Sequence, residues 1–246
     1  MDTSLSRLQT FYGHLNAQSL LNVMIRDEFA GRIGLVSSFG AGSALLLAMV
    51  AEADKKTPIL FLETEKHFLE TLQYVETITK KLGLTNVELL RPDNKLVNNI
   101  DRDGSLWNSQ PNRCCWLRKV EPLQRALKES NFDALITGRK RYQTQQRAEM
   151  ESIELNEDGR YRVNPLAFWS KDQVKQEFEK IGLPEHPLVA RGYLSIGCEP
   201  CTRPVKEGED ERAGRWAHTA DTPGGDKKVE CGIHIEKMPQ KPDWNI

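Results

Sequence analysis

The chain has 246 residues, 28% of them charged, and a formal net charge of −1. That length supports one generous α/β domain or two small ones, with a core that needs no disulfides. The near-neutral balance removes any field-level reason to expect nucleic acid or an anionic membrane as partner, and no apolar run approaches the ~20 residues needed to cross a bilayer.

The N-terminal stretch MDTSLSRLQTFYGHL lacks the basic-then-apolar layout of a signal peptide, so a cytoplasmic protein is expected. Residues 1–30 read as helix, with Leu15, Leu20, Leu21, Val23 and Met24 near helical spacing. An apolar strand, 33–37, runs into the turn Ser38-Phe39-Gly40-Ala41-Gly42, and an apolar helix follows over 43–53. Residues 58–62 form a second buried strand, 68–82 an amphipathic helix, and 87–90 a third strand. Residues 92–112 are polar and turn-rich and are expected as a surface loop. Residues 115–128 are helical, interrupted near Pro122. Ala134-Leu135-Ile136-Thr137 is a fourth strand. Asn156-Glu157-Asp158-Gly159 is a turn between two short strands, and Ser170 to Gln173 is a capping box that opens a last helix, ending near Gly182. Short apolar strands alternating with helices predict an α/β fold, a parallel sheet flanked by helices. The expected organisation is one domain over 1–205 and a mobile C-terminal tail over 206–246.

The five cysteines carry the chemistry. In a reducing compartment such spacings favour metal or redox roles over structural bridges. Cys198-Glu-Pro-Cys201 presents two sulfurs to one centre. Cys114 and Cys115 are adjacent, and neighbouring side chains point apart. One tetrahedral zinc ion is awkward for them, and a cubane spreads its irons. The chemistry leans to a [4Fe–4S] cluster, with zinc left open. Cys231, in Glu-Cys-Gly-Ile-His, has no second cysteine nearby. It is either an incidental surface thiol or a nucleophile activated by cations such as Arg212, Arg215, Lys227 and Lys228.

The turn Ser37-Ser38-Phe39-Gly40-Ala41-Gly42-Ser43 sits where a strand ends and a helix begins, a site that suits an anion. Without a Lys before its last Ser it is not a Walker loop. The alternative is a plain small-residue turn. Gly138-Arg139-Lys140-Arg141 follows the fourth strand on the same side and can hold phosphate or sulfate oxygens, or be a solvated loop. Lys119 shares a helix face with Cys115, or is a surface charge. His14, His67, His186 and His218 show no partner pattern and read as structural or exposed.

Together these segments resemble the assimilatory sulfonucleotide reductases, and more narrowly the iron–sulfur adenylyl-sulfate (APS) reductases. The resemblance runs from about Gly34 to His234. It rests on RCCWLRK at 113–119, RGYLSIGCEPCTRPV at 191–205, ERAGRW at 211–216 and ECGIH at 230–234. It implies an adenine nucleotide α-hydrolase-like sheet and one [4Fe–4S] cluster on Cys114, Cys115, Cys198 and Cys201. It implies Cys231 as the catalytic thiol. Lys119, Arg212, Arg215 and His234 match positions that engage the phosphosulfate. Ser37, Ser38, Phe39, Gly40 and Ala41 match the phosphate-side loop, Leu62 and Thr64 the adenosine-side strand end, and Lys140 and Arg141 the basic pair. The implied reaction turns adenosine 5′-phosphosulfate into sulfite and AMP, with thioredoxin or glutaredoxin as reductant, in sulfate assimilation. Neither nucleic acid nor membrane is an expected partner, and self-association stays open.

Two departures stand out. Relatives often carry Thr-Gly where this chain has Thr64-Glu65, and the stretch between Trp216 and Cys231 is longer than in some relatives. Three rival readings remain. A 3′-phosphoadenylyl-sulfate reductase runs the same chemistry on a larger nucleotide. An ATP-using thiolation enzyme needs a carboxylate in the first loop, which is absent here. A zinc-binding interaction module leaves Cys231 without a role.

Overall fold

A computed structural model of the chain describes residues 4–221, 228, 230, 232 and 233. The elements, in chain order, are α1 (Leu5–Tyr12), α2 (Ala17–Val23), β1 (Ile33–Ser37), α3 (Ser43–Ala53), β2 (Ile59–Leu62), α4 (Leu69–Leu82), β3 (Val87–Leu90), α5 (Asn94–Ile100), α6 (Leu106–Ser109), α7 (Pro111–Cys115), α8 (Glu121–Glu129), β4 (Ala134–Thr137), β5 (Ile153–Leu155), β6 (Tyr161–Val163) and α9 (Lys171–Ile181). The strands form one sheet in the order β3-β2-β1-β4-β6-β5. All neighbours run parallel except β5, which pairs antiparallel with β6.

The central strands are buried on both faces, which is why they read as unbroken apolar runs. Their side chains alternate. Ile59, Phe61 and Ile136 pack with α3, α4 and the N-terminal helices. Leu60, Leu62 and Leu135 face Leu123 and Leu127 of α8. Each such side chain removed from water contributes about 1.5–3 kcal/mol. Helix α3 is buried almost all round, from Ala44 to Ala53, as expected for a helix wedged between sheet and other helices.

Two expected segments differ. The N-terminal helix is broken: Gly13 ends α1, and the Asn16 side chain accepts from Ser19 N (2.9 Å) to cap α2. Residues 92–112 are not a plain loop. Asp93 caps α5 by accepting from Lys95 N (2.7 Å) and Leu96 N (3.1 Å), and Leu96, Val97 and Ile100 pack on Trp116 and Leu117. The apolar residues there are too few to declare a period, and the cap and the contact supply the order. A π-helical turn, Trp116–Val120, joins α7 to α8 just before Pro122, which has no N–H to donate to the helix ladder.

Candidate active site

The strand order reverses direction around β1, whose neighbours are β2 on one side and β4 on the other. Ligands bind outside the carboxyl ends of strands at such a switch point. Here the loops after β1 and β4 line a cavity of about 220 Å³. Ser37, Ser38, Gly40 and Ala41 come from the first loop, Lys140 from the second, and Leu62 from the end of β2. Lys119, Arg212 and Arg215 close the far side. Among the described residues the wall carries six cationic side chains, adding Arg139 and Arg147, against the carboxylates Glu211 and Glu230. The cavity is built for an anion.

Phe39 does not reach it. At φ 47° its backbone is left-handed, its N–H donates to Ser37 Oγ (3.2 Å), and its ring is fully buried, edge-on to Phe61 at 5.4 Å. The ring anchors the turn in the core and leaves the small residues facing the cavity. Gly40 lies close under the 196 backbone: a Cβ there would meet Ile196 O at 3.2 Å, a tight contact.

Lys140 is 4% exposed, and its ammonium donates to Gly138 O (3.1 Å). Burial, aided by the nearby Arg147, pulls its pKa down to about 8. An arriving anion would offset that cost. Arg141 points elsewhere: its guanidinium donates to Met150 O (2.7 Å) and Glu151 Oε1 (2.9 Å) and stacks on Phe168. His67 lines the cavity without having shown any pattern in the sequence. Its ring stacks on Phe61, Nε2 donates to Leu62 O (2.9 Å), and burial holds its pKa at about 4. His218 packs edge-on to Trp107 instead.

A second, smaller void adjoins the first and shares Lys119, Arg215 and Trp216 with it. Cys114, Cys115, Cys198 and Cys201 all line it, none in a disulfide. Burial first, and then the neighbouring cysteines, push Cys114 and Cys201 up to about 12. Four thiols lining one void fit, in donor type and number, a thiolate-ligated inorganic centre. Among the described residues no three His, Cys, Asp or Glu are gathered as a single-ion site.

Backbone and charge hold these walls. Cys198 bridges His67, and its Sγ lies 3.4 Å from Thr64 Oγ1. Thr64 is therefore turned to the thiol side and does not line the wide cavity. Arg118, 4% exposed in its side chain, donates to Asp101 Oδ2 (2.7 and 3.1 Å), Thr64 O (2.9 Å) and Glu65 Oε2 (3.0 Å). Glu65 has φ 58°, the left-handed region that favours glycine. Its N–H donates to Glu63 Oε1 (2.8 Å), so the side chain at this departure points out to Arg118 and not into the nucleotide side.

The described part of the 206–246 stretch lies against the domain. Trp216 is 2% exposed at φ 49°, its N–H donates to Cys201 O (2.9 Å), and Arg215 bridges Thr202. Arg215 donates to Ile196 O (3.1 Å), and its guanidinium lies so close to Gly197 that a Cβ there would collide with it. Cys231 and His234 lie outside the described residues. Their neighbours Glu230 and Ile233 line the wide cavity. Sequence reasoning missed Arg147 and Glu230. Only the adjacency of Glu230 to Cys231 offered a signal, and Arg147 offered none.

Residues 32–204 match the family model described as phosphoadenosine phosphosulfate reductase domain. A Mesorhizobium japonicum protein named adenosine 5′-phosphosulfate reductase is 45% identical, covering 94% of this chain and 87% of its own. An Emericella nidulans protein named phosphoadenosine phosphosulfate reductase is 37% identical, covering 80% of this chain and 65% of its own. Among solved structures, the phosphoadenylyl-sulfate reductase from Candida auris, crystallised as a phosphate complex, superposes with a TM-score of 0.68 at 25% identity. That superposition covers 82% of this chain and 99% of that one.

Proposed function

The chain belongs to the phosphoadenosine phosphosulfate reductase domain family, and from that membership we propose that it reduces adenosine 5′-phosphosulfate to sulfite and AMP with electrons from a thiol. The observation that carries this is the contact of two cavities, one lined by cations at the sheet's switch point and one lined by four thiols, across Lys119 and Arg215.

The Cys231 thiolate attacks the sulfuryl sulfur. An S–S bond forms as the S–O bond to the phosphate breaks, and AMP leaves with that electron pair. A thioredoxin or glutaredoxin thiolate then attacks Cys231 Sγ, sulfite departs with the pair, and the reductant's second thiol frees Cys231 as the dithiol becomes a disulfide. Such a reductant belongs to the cytoplasm. Two like unit charges about 4 Å apart repel by about 4 kcal/mol at an effective dielectric near 20. Lys119, Arg212, Arg215 and His234 are assigned to offset that repulsion at the sulfate, as preorganised charges do at other anionic transition states. Ser37, Ser38, Gly40, Ala41 and Lys140 are assigned to the phosphate, and Leu62 to the adenosine. Phe39, Thr64 and Arg141 act indirectly, through the core, the thiol side and the 150–151 segment.

Cys114, Cys115, Cys198 and Cys201 are assigned to a [4Fe–4S] cluster, supported by the void that all four line. When bound, that group supplies electrostatic and structural support rather than electrons, since the thiols deliver both. Residues 1–205 then form the nucleotide-binding and iron–sulfur unit, and 206–246 carry the nucleophile.

Incubation with sulfur-labelled substrate and no reductant tests the reaction. A sulfite-mass adduct on the Cys231 peptide is expected, and an adduct on any of the other four cysteines refutes the assignment. The fungal relative's name favours a second substrate, the 3′-phosphorylated nucleotide. Comparing kcat/KM on both nucleotides decides between them.

A further inference from the structure

Arg147 and Glu230 form a buried ion pair on the wall of the wide cavity, each side chain 9% exposed. Arg147 Nε donates to Glu230 Oε1 (2.8 Å) and Nη2 to Oε2 (2.9 Å), a two-pronged fork. Thr144 Oγ1 also donates to Oε1 (3.4 Å). The remaining Arg147 nitrogen, Nη1, donates to Gln143 Oε1, which in turn accepts from Lys140 N (3.1 Å). Each guanidinium nitrogen thus makes a hydrogen bond, and the backbone is set in a helical turn by Arg147 N donating to Thr144 O (3.0 Å).

A carboxylate is a poor choice for the wall of an anion site. It repels the incoming nucleotide unless it is neutralised, and a buried pair of this kind is weak as a source of stability. Its value is registration: a fork fixes distance and orientation together. The anchored residue directly precedes Cys231. On the other side, Ile233 packs against both the Leu60–Leu62 cluster and the Trp116–Leu117 cluster. The two described residues that flank Cys231 most closely on the cavity wall are therefore tied to the body of the domain, one by charge and one by apolar contact.

We propose that Arg147 is a positioning residue: it docks Glu230 and so delivers the next residue, Cys231, to the cationic cavity. Consecutive Cα atoms are about 3.8 Å apart, so fixing Glu230 confines where the following thiol can act. The proposal rests on the assignment of Cys231 as nucleophile.

The test is single-turnover labelling of Cys231 in the full-length, anaerobically purified enzyme, with AMP affinity measured in parallel. Glu230→Gln keeps the shape and removes the charge. Its labelling rate should fall by roughly 10²-fold, the scale of a small misplacement of reacting groups. Its AMP affinity should hold or tighten, because Arg147 is released toward the anion. Arg147→Met should lower both, since a bare carboxylate then faces the cavity. The double variant should label no more slowly than Glu230→Gln, because the two residues act as one unit. Wild-type labelling in Glu230→Gln, a joint fall of labelling and AMP affinity in that variant, or additive losses in the double variant would each overturn the proposal. Absence of any Cys231 adduct in the wild-type enzyme would instead sink the nucleophile assignment, and this proposal with it.

Discussion

The two cavities share a wall yet are built on opposite principles. The wide one gathers cations on loops at the ends of strands, where helix α3 opens and small residues leave room for a ligand. The narrow one gathers four thiols between a helix and a turn, walled by Trp107 and Trp216. In the first, cationic side chains outnumber carboxylates on the wall. In the second, the protein satisfies its own charge: Arg118 is neutralised by Asp101 and Glu65 before any ligand arrives. One region suits an anion that comes and goes; the other, on the cluster assignment proposed above, would hold a resident group. Lys119 and Arg215 belong to both, which makes them the places where occupancy of one region can alter the field in the other.

The sharpest way to separate the regions is Cys231→Ser. Sulfite release should vanish while iron content and AMP binding persist, measured by sulfite assay, iron analysis and calorimetry. Loss of iron in that variant would merge the two functions. Next in size is Arg118→Met, which strands the Asp101 carboxylate, 0% exposed, without its partner. Urea unfolding should show a loss of about 3–5 kcal/mol; a loss below 1 kcal/mol would mean the thiol side does not depend on internal neutrality.

Lys119→Ala probes the shared wall. Its single-turnover rate should drop by the equivalent of about 2–4 kcal/mol, as for a preorganised charge donor, and near-normal kinetics would remove it from the reaction. Lys140 tests whether the wide cavity waits for an anion. Its pKa in the free protein is about 8, lowered by burial and by Arg147 and partly restored by Glu211. A bound phosphate raises it again, so binding takes up a proton above pH 8. AMP affinity should therefore be complete below pH 8 and fall as pH rises, by at most roughly tenfold per unit. Lys140→Arg, which stays charged, should flatten that slope in a titration series.

The smallest effect concerns Glu65. Its left-handed backbone costs about 1 kcal/mol or slightly more, and its partly exposed ion pair returns about 0–1 kcal/mol. Glu65→Gly should thus leave thermal stability nearly unchanged, and Glu65→Ala should fall about 1 kcal/mol below it. Equal stability of the two variants would show that the backbone there carries no strain.

The sequence by itself determined the sheet. Strands such as Ile59–Leu62 and Ala134–Thr137 are buried on both faces, so their apolar runs announce them without neighbours, and the Ser170–Gln173 cap announces α9 through local hydrogen bonds alone. It also marked the cysteines, because reactive residue types are rare enough for their spacing to carry meaning. Only the tertiary structure decided which charges meet. Arg147 reaches a carboxylate 83 positions away, and Arg118 joins Asp101, Thr64 and Glu65 across three segments. It also turned Phe39 inward, Arg141 outward and residues 94–100 into a helix. The physical reason is range. Periodicity and caps act within a turn or two of chain, whereas the partner of a buried charge such as Arg118 or Arg147 comes from a segment that only folding brings near.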